Sequence, residues 1–115
     1  MGYREMILEI KLKLLRKEPV WIPDKKALAV PPDFVIWLGA EEPKVVRVRC
    51  HSQHRFARYI LTGKVDENAE IYLATDDDIR ECKEILDRAA KEMEKIEEPY
   101  RSRLAEILVL KKLSI

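Results

Sequence analysis

The sequence predicts an α+β fold, with a small antiparallel or mixed β-sheet and two or three helices packed on one face. Three observations predict it. Residues 45–50 alternate apolar and basic side chains, which is typical of a strand. Apolar residues recur at helical spacing from Ile79 to Ile96. Four prolines between positions 19 and 32 exclude a long regular element in that region.

Residues 6–15 alternate apolar and charged side chains, and this period of two favours a half-buried strand. A helix is the alternative, because Leu, Glu and Lys are good helix formers. Ile7, Ile10 and Leu14 would then form its apolar stripe. We expect the strand.

A hairpin is expected after the proline-rich region. Short extended segments fit residues 27–30 and 34–38, Gly39–Pro43 reads as a turn, and Val45–Cys50 is a strand. The segments 34–38 and 45–50 would pair antiparallel across that turn.

The second half of the chain is predicted to be mostly helical. A short helix over Gln53–Leu61 would end at Gly63, and Ile71–Ala74 would form another strand. Thr75 would cap a helix of about five turns that ends before Pro99, since Asp76, Asp77 and Asp78 complement the positive end of its dipole. Residues after Pro99 predict a second helix, although 107–115 could instead be a closing strand.

The composition predicts one globular, heat-adapted domain over residues 1–115. Hydrophobic residues make up 47% and charged residues 37% of the chain, against roughly 25% charged in an average protein. Asn68 and Gln53 are the only side-chain amides. Scarce amides beside abundant Lys, Glu and Arg are typical of proteins from hot environments.

Cys50 and Cys82 predict reduced thiols rather than a disulfide framework. The first residues carry no apolar leader, and no apolar run reaches the roughly 18 residues of a membrane span. We therefore expect a soluble cytoplasmic protein with no membrane partner. No cofactor is expected, because three scattered glycines cannot form a phosphate-binding loop.

Charge is strongly segregated along the chain, although the net charge is only +1. From Pro43 to Val65 there is no acidic residue, whereas Asp66–Glu98 holds thirteen acidic and five basic residues. Such a division is less common than mixed charge and suggests an interaction surface.

The basic stretch carries residue types that bind nucleic acid. Arginine forks onto phosphates, and flat rings stack on bases. We therefore expect RNA or another nucleic acid as partner. The predicted contacts are Arg47, Arg49, Arg55 and Arg58 to phosphates and His51, His54 or Tyr59 to bases.

Two alternatives remain open for the same residues. The arginines could pair with the acidic helix within one molecule, in a heat-adapted ion-pair network. They could also meet that helix between subunits, which would make the protein a homo-oligomer or a protein–protein module. Phe56 and Tyr59, three residues apart, could equally form the core stripe of the short helix.

A metal-dependent hydrolase is the third hypothesis, with Asp76, Asp77 and Asp78 acting beside His51 or His54. The carboxylates have an ordinary role at a helix start. Cys50, His51 and His54 lack the second ligand pair of a structural zinc site. We expect no metal site and do not favour an enzyme.

Overall fold

The structure, a computed structural model, describes residues 2–50, 52–64 and 67–113. They form five strands and five α-helices, and one turn of 3-10 helix at Pro23–Lys25. The elements are, in order, α1 (Tyr3–Leu15), β1 (Val20–Ile22), β2 (Ala27–Val30), β3 (Phe34–Trp37), β4 (Lys44–Arg49), α2 (Gln53–Thr62), β5 (Glu70–Leu73), α3 (Asp76–Asp87), α4 (Ala90–Met93) and α5 (Glu98–Leu113). The predicted α+β class is confirmed.

The sheet is an antiparallel meander in which each strand pairs with the next along the chain. The predicted hairpin is confirmed, since β3 pairs with β4 in a register that places Val35 opposite Val46. β5 continues the sheet beyond β4, with Val48 opposite Ile71. The two edges of the sheet are therefore β1 and β5.

Helices cover both faces of this sheet, so the prediction of one covered face is wrong. Side chains of β2 alternate between two cores: Ala27 and Ala29 pack with α1 and α2, and Leu28 and Val30 pack with α3 and α5. All four are 0% exposed. Because β2 is apolar on both faces, each face must be covered to keep apolar surface from water.

Residues 6–15 belong to helix α1, and the predicted strand there is wrong. Ile7, Ile10 and Leu14 are buried against the sheet, while Leu8, Leu12 and Leu15 lie exposed on the opposite side of the helix. Because apolar side chains lie on both sides of the helix, their order in the sequence mimics a period of two. Because Ile7, Ile10 and Leu14 pack on the sheet, the segment forms a helix rather than a strand.

The predicted helix ends are confirmed at two places. Gly63 ends α2 in the left-handed region, with φ of 73°. At the start of α3, the Thr75 hydroxyl accepts the Asp78 N–H at 3.2 Å, and the Asp78 carboxylate accepts the Thr75 N–H at 3.0 Å. This reciprocal capping box satisfies two backbone donors.

The predicted five-turn helix is interrupted. α3 ends at Asp87, and Ala89, with φ of −119° and ψ of 47°, leaves the helical region before the short α4. Pro99 lies in the first turn of α5 and does not end the preceding helix. A proline fits there because the first N–H groups of a helix have no partner within the helix. Residues 107–113 are helical, and positions 114 and 115 lie outside the described residues.

Among the described residues, no helix is both long and apolar enough to cross a membrane.

Glu92 is a buried carboxylate that links α4 to the outer edge of β1. It accepts the Trp21 N–H at 2.8 Å and the Lys95 ammonium at 3.0 Å, and Lys13 lies 3.5 Å away. Burial alone raises the pKa of Glu92, but these donors outweigh it and hold the pKa below its ordinary value of 4.5.

We expect Glu92→Gln to lower the free energy of unfolding by about 1–2 kcal/mol at pH 7, because an amide cannot neutralise the two lysines. A lowered folded-state pKa stabilises the protein above the unfolded value and loses that effect as pH falls through the folded value. The difference between wild type and variant should therefore shrink in acid. Urea unfolding at pH 7 and pH 3 measures it. The exposed Glu97→Gln is the control, and an equal loss there would contradict the assignment.

Candidate nucleic-acid interface

Arg47 lies on the face of the sheet that α3 covers. Its Nε lies 3.0 Å from Asp33 Oδ1, its Nη1 lies 3.4 Å from Asp78 Oδ1, and the guanidinium stands 5.2 Å from the Phe34 ring centroid. The hydrogen bond to Asp33 raises the pKa of Arg47 against the opposing effect of burial. Arg47 therefore ties the first turn of α3 to the sheet.

Arg49 is exposed on the same face, two residues further along β4. Its guanidinium stands 5.8 Å from the centroid of Tyr72, a ring 46% exposed on β5. The Tyr72 hydroxyl donates to the Glu70 carboxylate, and this bond raises the pKa of Tyr72. Sequence reasoning missed Tyr72 as a ring beside an arginine, because only the strand register brings it next to β4.

The predicted residues of α2 lie on the other face of the sheet. Phe56, Ala57 and Ile60 are buried against the strands, and the outer side of the helix presents His54, Arg55 and Arg58 to solvent. Ser52 caps the helix by accepting the Arg55 N–H at 3.2 Å. The helix itself carries no acidic residue.

Tyr59 belongs to the core on that side. It is 9% exposed and meets Trp37 edge to face, with 5.8 Å between ring centroids. Burial raises the pKa of its hydroxyl. The ring is thus not presented for stacking, which agrees with the core-stripe alternative. His51 lies outside the described residues.

The predicted arginines therefore form two groups rather than one patch. Arg47 and Arg49 lie on the α3 side, and Arg55 and Arg58 lie on the α2 side. A cleft of about 530 Å³ at the end of β4 is lined by Arg47 and Arg49, by Asp33, and by Ser52, Gln53 and Phe56 at the start of α2.

Helix α1 adds basic residues to the α2 side. With about 3.6 residues per turn, Met6 and Glu9 share one flank of α1, and Arg4 and Lys11 share the other. Met6 and Glu9 line a cavity beside β1. Since α1 also packs on α2, the flank with Arg4 and Lys11 is the one on the α2 side. We call Arg4, Lys11, His54, Arg55 and Arg58 the basic face.

The acidic helix α3 lies on the opposite side of the sheet. α3 carries six acidic and two basic residues, and its buried side packs on the core that contains Phe34 and Ile36. The charges of α2 and α3 thus lie on opposite faces of the sheet, whereas Arg47 and Arg49 share the α3 side. Arg47 pairs with Asp78 of α3 at 3.4 Å.

The aspartates at the start of α3 have structural partners. Asp77 pairs with Arg80 at 3.1 Å, and Asp78 caps the helix and meets Arg47. Within the ranges that the structure describes, no three His, Cys, Asp or Glu side chains are grouped to hold a metal ion. Burial raises the pKa of the Cys82 thiol to about 12, which keeps it protonated and unreactive.

No family model matches this chain, and no curated protein or solved structure matches it either.

We expect Arg47→Ala to lower the free energy of unfolding by about 1–3 kcal/mol, because it leaves Asp33 and Asp78 without their shared cation. Urea unfolding measures the loss. Arg80→Ala, which removes an exposed pair, is the matched control and should cost under about 0.5 kcal/mol. Equal losses in the two variants would show that Arg47 is not a structural link.

Proposed function

We propose that the protein binds nucleic acid, RNA in particular, through the basic face. Arg55, Arg58, Arg4 and Lys11 contact phosphates, and His54 lies among them to meet a base. Arg49 extends the contact at the cleft beside the start of α2. Arg47 and Tyr59 take no direct part in this proposal, since the first is held by Asp33 and Asp78 and the second is buried.

One observation carries the proposal: the sheet separates the basic face from the acidic helix of the same chain. The main objection to nucleic-acid binding is that α3 could neutralise the arginines within the molecule. That pairing occurs at Arg47, on the α3 side. Arg58 points from the outer side of α2, across the sheet from α3, and so stays accessible to a phosphate backbone.

The kind of binding follows from these residues. Arginine and lysine contacts to phosphates depend on salt and carry little sequence information. Since Tyr59 is buried, its ring is not available to stack on bases. We therefore propose binding that is dominated by charge and only weakly selective for sequence.

The double change Arg55→Ala and Arg58→Ala should weaken RNA binding and reduce its salt dependence. For a single strand, log K falls with log salt at a slope of about −0.7 per neutralised phosphate, so removing two arginines should make that slope less negative by about 1.4. Fluorescence anisotropy with a labelled mixed-sequence RNA, across four salt concentrations, measures both quantities.

The matched control is Arg80→Ala with Lys83→Ala, which removes the same charge from exposed positions on α3. We expect its slope to equal that of the wild type. Equal reductions in both double variants would mean that net charge, not the basic face, governs binding. A wild-type protein without salt-sensitive binding would overturn the proposal.

Head-to-tail association is a second candidate, favoured by the opposite charges on the two sides of the molecule. The basic face of one copy would meet α3 of the next. Such a contact joins two different surfaces, so it extends into chains or rings of copies rather than closing as a symmetric pair.

Light scattering across salt tests this association. Lowering the salt should raise the average mass, and removing Arg55 and Arg58 should abolish that rise. Removing Arg80 and Lys83 should enhance it, because α3 becomes more acidic. An average mass that does not change with salt would rule the candidate out.

A further inference from the structure

A cavity of about 570 Å³ lies where the end of α1, the start of α2 and the second half of α3 meet. Its volume is within the range of about 300–1,000 Å³ that is usual for ligand cavities. Leu15 lies on its α1 wall and Ile85 on its α3 wall. Leu15 is 64% exposed and Ile85 is only partly buried, so both walls offer apolar surface to a flat ring.

The cavity opens beside the basic face. Leu15 lies about one turn beyond Lys11 on the same side of α1. Gln53, which also lines the cavity, directly precedes His54 at the start of α2. Both helices therefore lead from the basic face to the mouth of the cavity.

The α3 wall carries a carboxylate, an apolar side chain and a guanidinium in one row. Glu81, Ile85 and Arg88 follow one another at spacings of four and three residues, so they share one side of the helix. Two helical turns separate Glu81 from Arg88, which is about 10 Å along the axis. Because this is about one Debye length at physiological ionic strength, the carboxylate leaves the guanidinium available to another anion.

The cations on the cavity wall fit a phosphate group. Within the part of the chain that the structure describes, Arg88 and Lys17 form no ion pair. Glu18, a second carboxylate on the wall, lies 3.5 Å from Lys13. Arginine binds phosphate through its planar fork of N–H donors, and lysine binds it as a point charge.

We propose that one nucleotide of a bound RNA single strand occupies this cavity, an inference that rests on the function proposed above. The base lies between Leu15 and Ile85, and an exocyclic amino group of the base donates to the Glu81 carboxylate. The phosphate meets Arg88 and Lys17, and the rest of the strand follows the basic face. A duplex cannot supply such a nucleotide, because its bases are paired and stacked.

The Glu81 carboxylate gives the cavity a preference among bases. An ionised carboxylate accepts hydrogen bonds and cannot donate them, so it favours a base with an amino group over one with a carbonyl oxygen in the same place. Cytosine and uracil differ in this way at C4. The cavity should therefore take cytosine in preference to uracil, while the phosphate contacts of the basic face remain unselective.

Fluorescence anisotropy with labelled oligocytidylate and oligouridylate of equal length tests the proposal. Both strands carry the same phosphates, so charge contributes equally to their binding. We expect the wild type to bind oligocytidylate about fivefold more tightly. Glu81→Gln should abolish the difference, because an amide can also donate to the uracil carbonyl. Glu84→Gln, an exposed carboxylate of α3 outside the cavity, is the matched control and should keep it.

A second pair of variants tests the phosphate contact. Arg88→Ala should make the slope of log K against log salt less negative by about 0.7, the value for one phosphate of a single strand. Arg80→Ala, at an exposed position of α3 outside the cavity, should leave the slope unchanged. Urea unfolding of each variant shows that the fold is retained.

The outcomes separate this proposal from the one on which it rests. Salt-sensitive binding of both strands with equal affinity overturns the cavity assignment and leaves binding by the basic face standing. No salt-sensitive binding of either strand overturns both. A cytosine preference that survives Glu81→Gln, or a slope that Arg88→Ala does not change, also overturns the cavity assignment. Cytidine monophosphate that binds as tightly as the strand does so too, because the cavity would then serve a free nucleotide.

Discussion

The burial of β2 and β3 on both faces is the constraint on which the rest of the structure depends. Ala27–Val30 and Phe34–Ile36 are 0% exposed, and their side chains alternate between the two cores. Uncovering one face would expose several large apolar side chains, each worth about 1.5–3 kcal/mol when buried. The chain must therefore supply helices to both sides, and it does so with α1 and α2 on one and α3, α4 and α5 on the other.

The two helical layers determine on which side of the sheet the charged helices lie. The acid-free stretch supplies β4 and α2, and the acidic stretch supplies β5 and α3. Because α2 and α3 cover opposite faces, the near-zero net charge of the chain hides two surfaces of opposite sign. Arg47 and Arg49 are exceptions, since both side chains of β4 point to the α3 side, where Asp33 and Asp78 hold Arg47.

Local signals made part of this structure predictable. Thr75 with Asp78, Gly63 after α2, and the alternation of Val46 and Val48 with Arg47 and Arg49 each specify an element within a few residues of chain. They gave the hairpin, α2 and the start of α3 correctly. The basic side chains of α2 are likewise predicted from the sequence and are exposed.

The wrong predictions concern segments whose structure depends on contacts with distant parts of the chain. Leucines on both sides of residues 6–15 satisfy the strand and helix periods equally, and the sheet beneath Ile7 and Ile10 selects the helix. A strand at residues 6–15 would leave one face of the sheet without α1, so the prediction of that strand also gives the wrong number of covered faces. The burial and the neighbours of Arg47, Tyr59 and Tyr72 depend on strand register and helix placement, which no short stretch of sequence encodes.

Nucleic-acid binding and head-to-tail association would use the same residues. Each needs Arg55 and Arg58 on the outer side of α2, where the sheet separates them from α3 of their own chain. A polyanion and the α3 helix of another copy would therefore compete for one surface. Added polyanion should dissociate head-to-tail chains of copies rather than strengthen them.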